Sequence, residues 1–243
     1  GVNAGMVIVV ADDPFMFSSQ NEQDTRYYAK LSGLPMVEPS SVAEAKEMVP
    51  YAFDLSERLG EPVIFRTTTR INHSNGIVTL GSIPPRSPKG DFAKDPFRYV
   101  CVPAVSRRLH VRLLDNLKRA QGIADESPLN TVEGGGAWGI VCNGVSYNYV
   151  ADAVKALKIE DRTKRLRLGF SHPMPEALIK EFLQGCEKVL VVEEGEPYME
   201  EGVKAFAQEA GLSLPIRGKG EDLFSRLYEF DPAMVRKGIA DFF

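Results

Sequence analysis

A chain of 243 residues, of which 44% are hydrophobic and 26% are charged, is long enough to bury more than one hydrophobic core. Its net charge of −4 comes without the dense block of lysine and arginine that would attract nucleic-acid phosphates or an anionic membrane. No apolar run reaches the roughly 20 residues of a membrane span, and the first residues lack the features of a signal peptide. We therefore predict a cytoplasmic α/β protein with no nucleic-acid partner and no membrane partner.

The opening part of the chain alternates between strand and helix signals. Val7–Val10 predict a buried strand, and a helix is predicted over residues 22–31, before a glycine. Ser41 and Glu44 have the spacing of a capping box, after which apolar residues recur every three or four positions. Another apolar strand begins at Pro62. This alternation is typical of a parallel sheet covered by helices.

The middle of the chain is crowded with prolines and charges, and only one amphipathic helix is predicted there, from Pro103. Three strand–helix pairs follow, with strands at "WGIVCN", "LRLGF" and "KVLVVEE", and a short helix then begins at Pro232. The sequence therefore predicts an α/β fold with two parallel-sheet domains joined by a long connector. The predicted boundaries are 1–72 for the first domain, 73–136 for the connector, 137–221 for the second domain and 222–243 for an exit segment.

The loop that follows the first strand is the principal candidate site, because ligands of parallel α/β sheets bind at the carboxyl ends of strands. Its hydroxyl and amide side chains offer hydrogen-bond donors and acceptors without net charge, which suits a carboxylate or a carbonyl group. Asp24, the acidic residue among the candidates, could carry a proton or interact with the dipole of the next helix. The alternative to a binding site is that the loop is solvated and only caps this helix. The candidate residues are Ser18, Ser19, Gln20, Asn21 and Asp24.

Asn143 and His172 are weaker candidates, which follow two strands of the second half of the chain. No cysteine, aspartate or second histidine lies near His172 in the sequence, so a structural loop histidine is the alternative. Asp12 and Asp13 leave a strand towards opposite sides without a third ligand nearby, and the three cysteines lie far apart. We therefore predict no metal site within this chain.

Three segments carry a family resemblance: "SSQNEQDTRYYA", "KDPFRYVCVPA" and "VLVVEEGEPYMEE". They resemble the α subunit of indolepyruvate:ferredoxin oxidoreductases, in the thiamine diphosphate-dependent 2-oxoacid:ferredoxin oxidoreductase superfamily, and the resemblance extends over nearly the whole chain. It implies oxidative decarboxylation of aryl 2-oxoacids to acyl-CoA with reduction of ferredoxin. It also implies that the polar loop faces the bound 2-oxoacid or the thiamine.

The resemblance further implies a domain assignment. Residues 1–72 resemble the second half of a pyrimidine-binding domain, and residues 137–221 resemble a transketolase C-terminal-like domain. The exit segment would lead to a thiamine diphosphate-binding domain and a ferredoxin-like domain elsewhere in the same chain. We therefore expect an internal fragment that is inactive alone, without the activating glutamate or the Gly-Asp…Asn magnesium motif. Gly90-Asp91 and Asp115-Asn116 match that motif only superficially.

The full enzyme is expected to hold thiamine diphosphate with Mg²⁺ and 4Fe–4S clusters, none of them tightly bound to this fragment. Its expected partners are a second (beta) subunit, ferredoxin and coenzyme A. Another 2-oxoacid oxidoreductase and a transketolase-like enzyme are alternatives, although the latter should carry a histidine in the loop, and residues 12–24 contain none. A non-catalytic structural or assembly module is the alternative outside enzymes.

Overall fold

The computed structural model describes residues 2–82, 93–220 and 223–243. Within these ranges the chain forms two β-sheets flanked by helices. The strands are β1 (Val7–Asp12), β2 (Met36–Val37), β3 (Val63–Thr68), β4 (Asn130–Gly134), β5 (Trp138–Asn143), β6 (Thr163–Leu168), β7 (Phe170–His172), β8 (Lys188–Val192) and β9 (Ile216–Arg217). The helices are α1 (Arg26–Ser32), α2 (Val42–Leu59), α3 (Thr69–Asn72), α4 (Pro96–Tyr99), α5 (Pro103–Asp125), α6 (Ser146–Leu157), α7 (Glu176–Gln184), α8 (Tyr198–Glu209) and α9 (Pro232–Phe242). Gly90, Asp91 and the predicted boundary at residue 221 lie outside the described residues.

The first sheet has the strand order β1-β3-β2-β7. Strands β1, β3 and β2 are parallel, and β7 pairs antiparallel with β2. Helix α2 begins as the capping-box spacing predicts, because the Ser41 hydroxyl accepts the Glu44 N–H at 3.2 Å. Strand β1 is an edge strand among the described residues, and Val9 is 68% exposed. The prediction of a buried first strand is therefore wrong for the described residues, because the strand lies at an edge of the sheet.

The predicted strand "LRLGF" is two strands in the structure, divided at Gly169. The Gly169 N–H donates to the Asn130 side-chain oxygen at 3.0 Å, and a Cβ at Gly169 would lie 2.6 Å from the Leu129 carbonyl oxygen. Only glycine permits this close approach of two backbones. At this point the chain leaves the second sheet after β6 and enters the first sheet as β7. The two sheets therefore share one continuous segment.

The second sheet has the strand order β4-β6-β5-β8-β9, in which β6, β5, β8 and β9 are parallel. Strand β4 pairs antiparallel with β6, and the sequence pattern did not predict it. Helix α5 begins at Pro103 as predicted and runs to Asp125. The α/β class with two mostly parallel sheets is thus confirmed. No helix in the described ranges is both long and apolar enough to cross a bilayer.

Helix α9 packs against α6 and β8, and it completes the core on one face of the second sheet. Phe224 and Phe230 are buried there with the apolar side chains of α9. Gly238 lies where α9 crosses Phe224, and a Cβ at this position would be 2.4 Å from the phenyl ring. The helix can therefore approach the ring only through a residue that lacks a side chain.

We expect Gly238→Ala to lower the free energy of unfolding by about 1–3 kcal/mol, because the added methyl group overpacks this core. Urea unfolding followed by circular dichroism measures the change. Gly122→Ala is the matched control, since Gly122 is in the exposed face of α5 and a Cβ there meets no atom within 4 Å. The control should gain about 0.5–1 kcal/mol through helix propensity. Equal effects of the two substitutions would contradict this packing.

Candidate functional site

The two sheets meet at the carboxyl ends of their parallel strands, where charged side chains are buried together. Asp12 ends β1 and Glu38 follows β2, while Asn143 ends β5 and Glu193 follows β8. We call the group the seam cluster, and its members are Asp12, Asp24, Arg26, Glu38, Arg66, Asn143 and Glu193. Two guanidinium groups face four carboxylates in it. Burial of so many charges requires that each be paired.

Arg26 is the centre of the seam cluster, and its side chain is fully buried. It donates to Asp24 at 2.6 and 2.8 Å and to Glu193 at 2.5 Å. It also donates to the carbonyl oxygens of Glu194 and Glu196, at 2.6 and 2.9 Å. Burial alone would lower the pKa of Arg26, but the carboxylates of Glu193 and Asp24 raise it well above its usual value. Arg26 thus connects the first turn of α1 to the end of β8.

Glu193 extends this connection into α8. Its two carboxylate oxygens accept the N–H groups of Met199 and Glu200, at 2.8 and 2.9 Å. These groups belong to the first turn of α8, whose N–H groups have no partner within the helix. Burial raises the pKa of Glu193, and the adjacent Arg26 opposes that shift. One carboxylate therefore caps a helix and neutralises a buried arginine.

Arg66 is the second buried cation of the seam cluster. It donates to Asp12 at 2.5 Å and to Glu38. Glu38 in turn accepts the side-chain N–H of Asn143 at 3.2 Å on each oxygen. Asn143, a predicted site residue, thus contacts the first sheet across the seam, and it is buried.

Asp13 organises the polar loop. One of its carboxylate oxygens accepts the backbone N–H groups of Ser18 and Ser19, at 3.0 and 3.2 Å. The other accepts the Thr69 hydroxyl at 3.1 Å, and the Asp13 N–H donates to the Gln23 side chain at 3.2 Å. The hydrogen bond from Ser18 is the main cause that lowers the pKa of Asp13 below its usual range. The loop is therefore folded around one ionised carboxylate.

The side chains of the loop remain free for other partners. Within the described part of the chain, the Ser18 and Ser19 hydroxyls and the Gln20 amide make no hydrogen bond, and Ser18 and Gln20 are exposed. The Asn21 amide donates only to the neighbouring Glu22 carbonyl, at 3.1 Å. The loop thus presents a row of uncharged polar side chains, while the Ser18 and Ser19 backbone N–H groups are bound by Asp13.

A polar cleft of about 620 Å³ lies between this loop and the edge of β1. Asn21 and Asp24 line it, together with Asp12, Thr25 and Tyr28. The Thr25 N–H and hydroxyl both donate to Asp12, at 2.9 and 3.0 Å, which fixes the floor of the cleft. The structure therefore brings two predicted residues into one cleft, while Ser18, Ser19 and Gln20 do not line it.

Asp24 has two roles in this geometry, since it lines the cleft and belongs to the seam cluster. Burial raises its pKa, but the hydrogen bond and charge of Arg26 outweigh burial and hold the pKa well below the usual range. It also accepts the Glu196 N–H at 3.0 Å. A carboxylate held ionised in this way favours positioning over proton transfer.

His172 lies apart from the loop, at the end of β7. Its Nδ1 is 2.6 Å from the Tyr198 hydroxyl, and its Nε2 is buried without a partner among the described residues. Burial, with the charge of Lys30, lowers the pKa of His172 to about 4, so the ring is neutral at physiological pH. The contact with Tyr198 supports the structural alternative for this residue.

Sequence reasoning missed Arg26, Arg66, Glu38 and Glu193 as a group. One signal was available, because Arg66 interrupts an apolar strand that the pattern predicts to be buried. A buried charge needs a partner. The partners could not be paired from the sequence, since Arg26 and Glu193 are 167 positions apart. No group of three or more histidine, cysteine, aspartate or glutamate side chains in the described ranges is arranged to hold a metal ion.

Solved structures define the class of fold. The chain is similar to 2-oxoglutarate:ferredoxin oxidoreductase from Magnetococcus marinus, solved with 2-oxoglutarate, coenzyme A and succinyl-CoA bound, with a TM-score of 0.64 and 16% identity over 96% of this chain and 48% of that one. It is also similar to a split-gene transketolase in an inactive beta4 tetramer, with a TM-score of 0.56 and 16% identity over 97% of this chain and 65% of that one. The fold is therefore that of 2-oxoacid:ferredoxin oxidoreductases and transketolases.

Sequence relatives identify the family within this class. The chain is 47% identical to indolepyruvate oxidoreductase subunit IorA of Methanothermobacter thermautotrophicus, over 99% of this chain and 39% of that subunit. It is 47% identical to the same subunit of Pyrococcus abyssi, over 100% of this chain and 38% of that subunit. The chain is thus similar over its whole length to part of the indolepyruvate oxidoreductase subunit IorA, and it spans less than half the length of these relatives. No family model matches the chain.

Proposed function

We propose that the chain is part of a cytoplasmic thiamine diphosphate-dependent enzyme that decarboxylates indolepyruvate and other aryl 2-oxoacids to acyl-CoA and transfers the electrons to ferredoxin. The observation that carries the proposal is the polar loop. It presents hydroxyl and amide groups at the carboxyl end of β1, and those of Ser18, Ser19 and Gln20 make no hydrogen bond within the described residues. The chain that carries this loop is related to IorA over its whole length. The predicted residues Ser18, Ser19, Gln20 and Asn21 bind the carboxylate or carbonyl of the 2-oxoacid. Asp24 holds the loop against the second sheet through Arg26.

The residues present fit only one part of a thiamine diphosphate site. The loop offers uncharged donors and acceptors, which suit the substrate and the aminopyrimidine side of the cofactor. The described residues offer no cluster for the Mg²⁺ ion that would accompany the diphosphate. We therefore assign to this chain the binding and orientation of the substrate.

The remaining parts of the enzyme supply the rest of the chemistry in this proposal. Residues 1–72 form part of the pyrimidine-binding domain, residues 137–221 form the transketolase C-terminal-like domain, and residues 73–136 connect them. The segment 222–243, whose helix α9 packs against the second sheet, leads towards the thiamine diphosphate-binding and ferredoxin-like domains. A second (beta) subunit, 4Fe–4S clusters, ferredoxin and coenzyme A complete the enzyme.

We expect the isolated chain to show no turnover of indolepyruvate with thiamine diphosphate, Mg²⁺, coenzyme A and ferredoxin present. The full-length chain with its second subunit should reduce ferredoxin under the same conditions. Calorimetry with thiamine diphosphate is the parallel measurement, and the isolated chain should show no saturable tight binding. Turnover by the isolated chain would contradict the assignment of the chemistry to several domains. A full-length enzyme without 2-oxoacid turnover would contradict the proposed function itself.

A further inference from the structure

Two separate segments of the chain bring three aromatic side chains together at the polar loop. The Phe15 ring lies 4.8 Å from the Phe17 ring and 5.1 Å from the Tyr228 ring, measured between centroids. All three side chains are exposed, and that of Phe17 is 54% exposed. We call these residues the aromatic rim. They form a patch of aromatic surface that the described part of the chain does not bury.

The backbone is held in an unfavourable conformation to form this patch. Met16 has φ of 59° and Tyr228 has φ of 69°, a region that residues other than glycine, asparagine and aspartate rarely adopt. The Tyr228 N–H donates to the Glu22 carboxylate at 2.7 Å, which ties the segment before α9 to the polar loop. Backbone strain of this kind is concentrated at ligand sites. Met16 lies between Phe15 and Phe17 in the sequence, and Tyr228 carries the third ring of the rim. The strained backbone therefore coincides with the exposed rings, which points to a ligand rather than to a solvated loop.

A pocket of about 330 Å³ opens beside the aromatic rim and is lined by Phe17, Thr69, Arg70, His73 and Ser74. This volume is at the lower end of the range for small-molecule sites. The Arg70 guanidinium lies 5.7 Å from the centre of the Phe17 ring. It also donates through two nitrogens to Glu229. Because Glu229 compensates its charge, Arg70 offers a ligand the flat face of a guanidinium rather than an unpaired positive charge.

We propose that this pocket binds the aryl group of an aryl 2-oxoacid and that Phe17 determines the specificity for it. The inference rests on the proposed function. Aromatic rings and a paired guanidinium face favour stacking with an aryl group, whereas a second carboxylate would lack a free cation there. Ser18 follows Phe17 directly, so an aryl group on the Phe17 ring leaves the substrate carboxylate beside the free hydroxyl and amide groups of the loop.

The test uses the full-length enzyme with its second subunit and compares indolepyruvate with pyruvate as substrates. Phe17→Leu should lower kcat/KM for indolepyruvate by about tenfold, the size expected when an aromatic stacking partner is removed. The kcat/KM for pyruvate, the KM for coenzyme A and the melting temperature should stay at wild-type values. Phe17→Tyr should restore most of the activity with indolepyruvate, because it keeps the ring.

Phe97→Leu is the matched control. Phe97 is also an exposed aromatic residue with an arginine over its ring, at 5.1 Å, but it belongs to α4. This helix contacts the start of the chain through Arg98 and Val2, at the opposite end of β1 from the loop. Its replacement should leave both substrates unaffected.

Each of the following results would overturn the inference. An unchanged kcat/KM for indolepyruvate in Phe17→Leu would mean that the pocket does not bind the aryl group. An equal loss with both substrates, or a change in the KM for coenzyme A or in the melting temperature, would mean that the aromatic rim packs against another part of the enzyme. A wild-type enzyme that turns over no 2-oxoacid would instead refute the proposed function, and the two failures are therefore distinguishable.

Discussion

Replacement of Arg26 by leucine is expected to lower the free energy of unfolding by about 3–5 kcal/mol, because it leaves buried carboxylates without their cation. Arg26 is fully buried, and it pairs with Asp24, in the loop before α1, and with Glu193, which follows β8 of the second sheet. Urea unfolding followed by circular dichroism measures the loss. The melting temperature should fall together with it, because the substitution uncouples α1 from the end of β8.

Arg226→Ala is the matched control for this prediction. Arg226 also pairs with a carboxylate, that of Glu196, but its side chain is 61% exposed. An ion pair in water contributes only about 0–1 kcal/mol. If Arg26→Leu cost no more than Arg226→Ala, the seam cluster would not hold the two sheets together.

Gln20→Ala and Asn21→Ala are expected to lower kcat/KM for indolepyruvate in the full-length enzyme by about one to two powers of ten. A hydrogen bond to a charged ligand group contributes about 1.5–3 kcal/mol, and its loss appears in the rate if it forms chiefly in the transition state. Stability should hardly change, because the Gln20 amide makes no hydrogen bond within the described residues and the Asn21 amide bonds only its neighbour. Steady-state kinetics and a melting curve of each variant distinguish a loss of activity from a loss of stability.

Ile8→Ala is expected to have the opposite phenotype. Ile8 is half-buried in β1 and packs with the core of Ala29, Met36 and Ile64. Its truncation should cost about 2 kcal/mol of stability, the lower end for such substitutions, since part of the side chain is already exposed. Folded molecules should keep nearly wild-type kcat/KM. Wild-type kcat/KM in both Gln20→Ala and Asn21→Ala would show that the polar loop has a structural role and does not bind the substrate.

The fold was largely predictable because local signals dominate its helices and strands. Ser41 begins α2 and Gly33 ends α1 in a left-handed conformation, as their residue types indicate. The passage of the chain from the second sheet to the first sheet at Gly169 was not predictable. Buried apolar residues, Leu168 and Phe170, flank this glycine on both sides. The distinction between one strand and two depends on contact with Leu129, which is distant in the sequence.

The polar loop was predictable as a candidate site because its residue types are unusual directly after a strand. The seam cluster was not, because the partners of a buried charge are chosen by the fold and not by sequence spacing. Asp24 illustrates the difference. The sequence indicates a polar residue before a helix, whereas the structure shows a carboxylate fixed by Arg26 and by the Glu196 N–H. The aromatic rim was not predictable for the same reason, because Tyr228 reaches the loop only through tertiary packing.

Hydrogen–deuterium exchange of the full-length enzyme, with and without indolepyruvate, tests most directly whether the polar loop faces the substrate. Amide groups that a ligand covers or orders exchange more slowly. We expect slower exchange over residues 14–23 when indolepyruvate is bound. No change is expected in α5, which contacts the Leu59 carbonyl through Asn116, before the start of β3 and at the opposite end of the first sheet from the loop. Unchanged exchange of residues 14–23 in an enzyme that turns over indolepyruvate would contradict the assignment of this loop to the substrate.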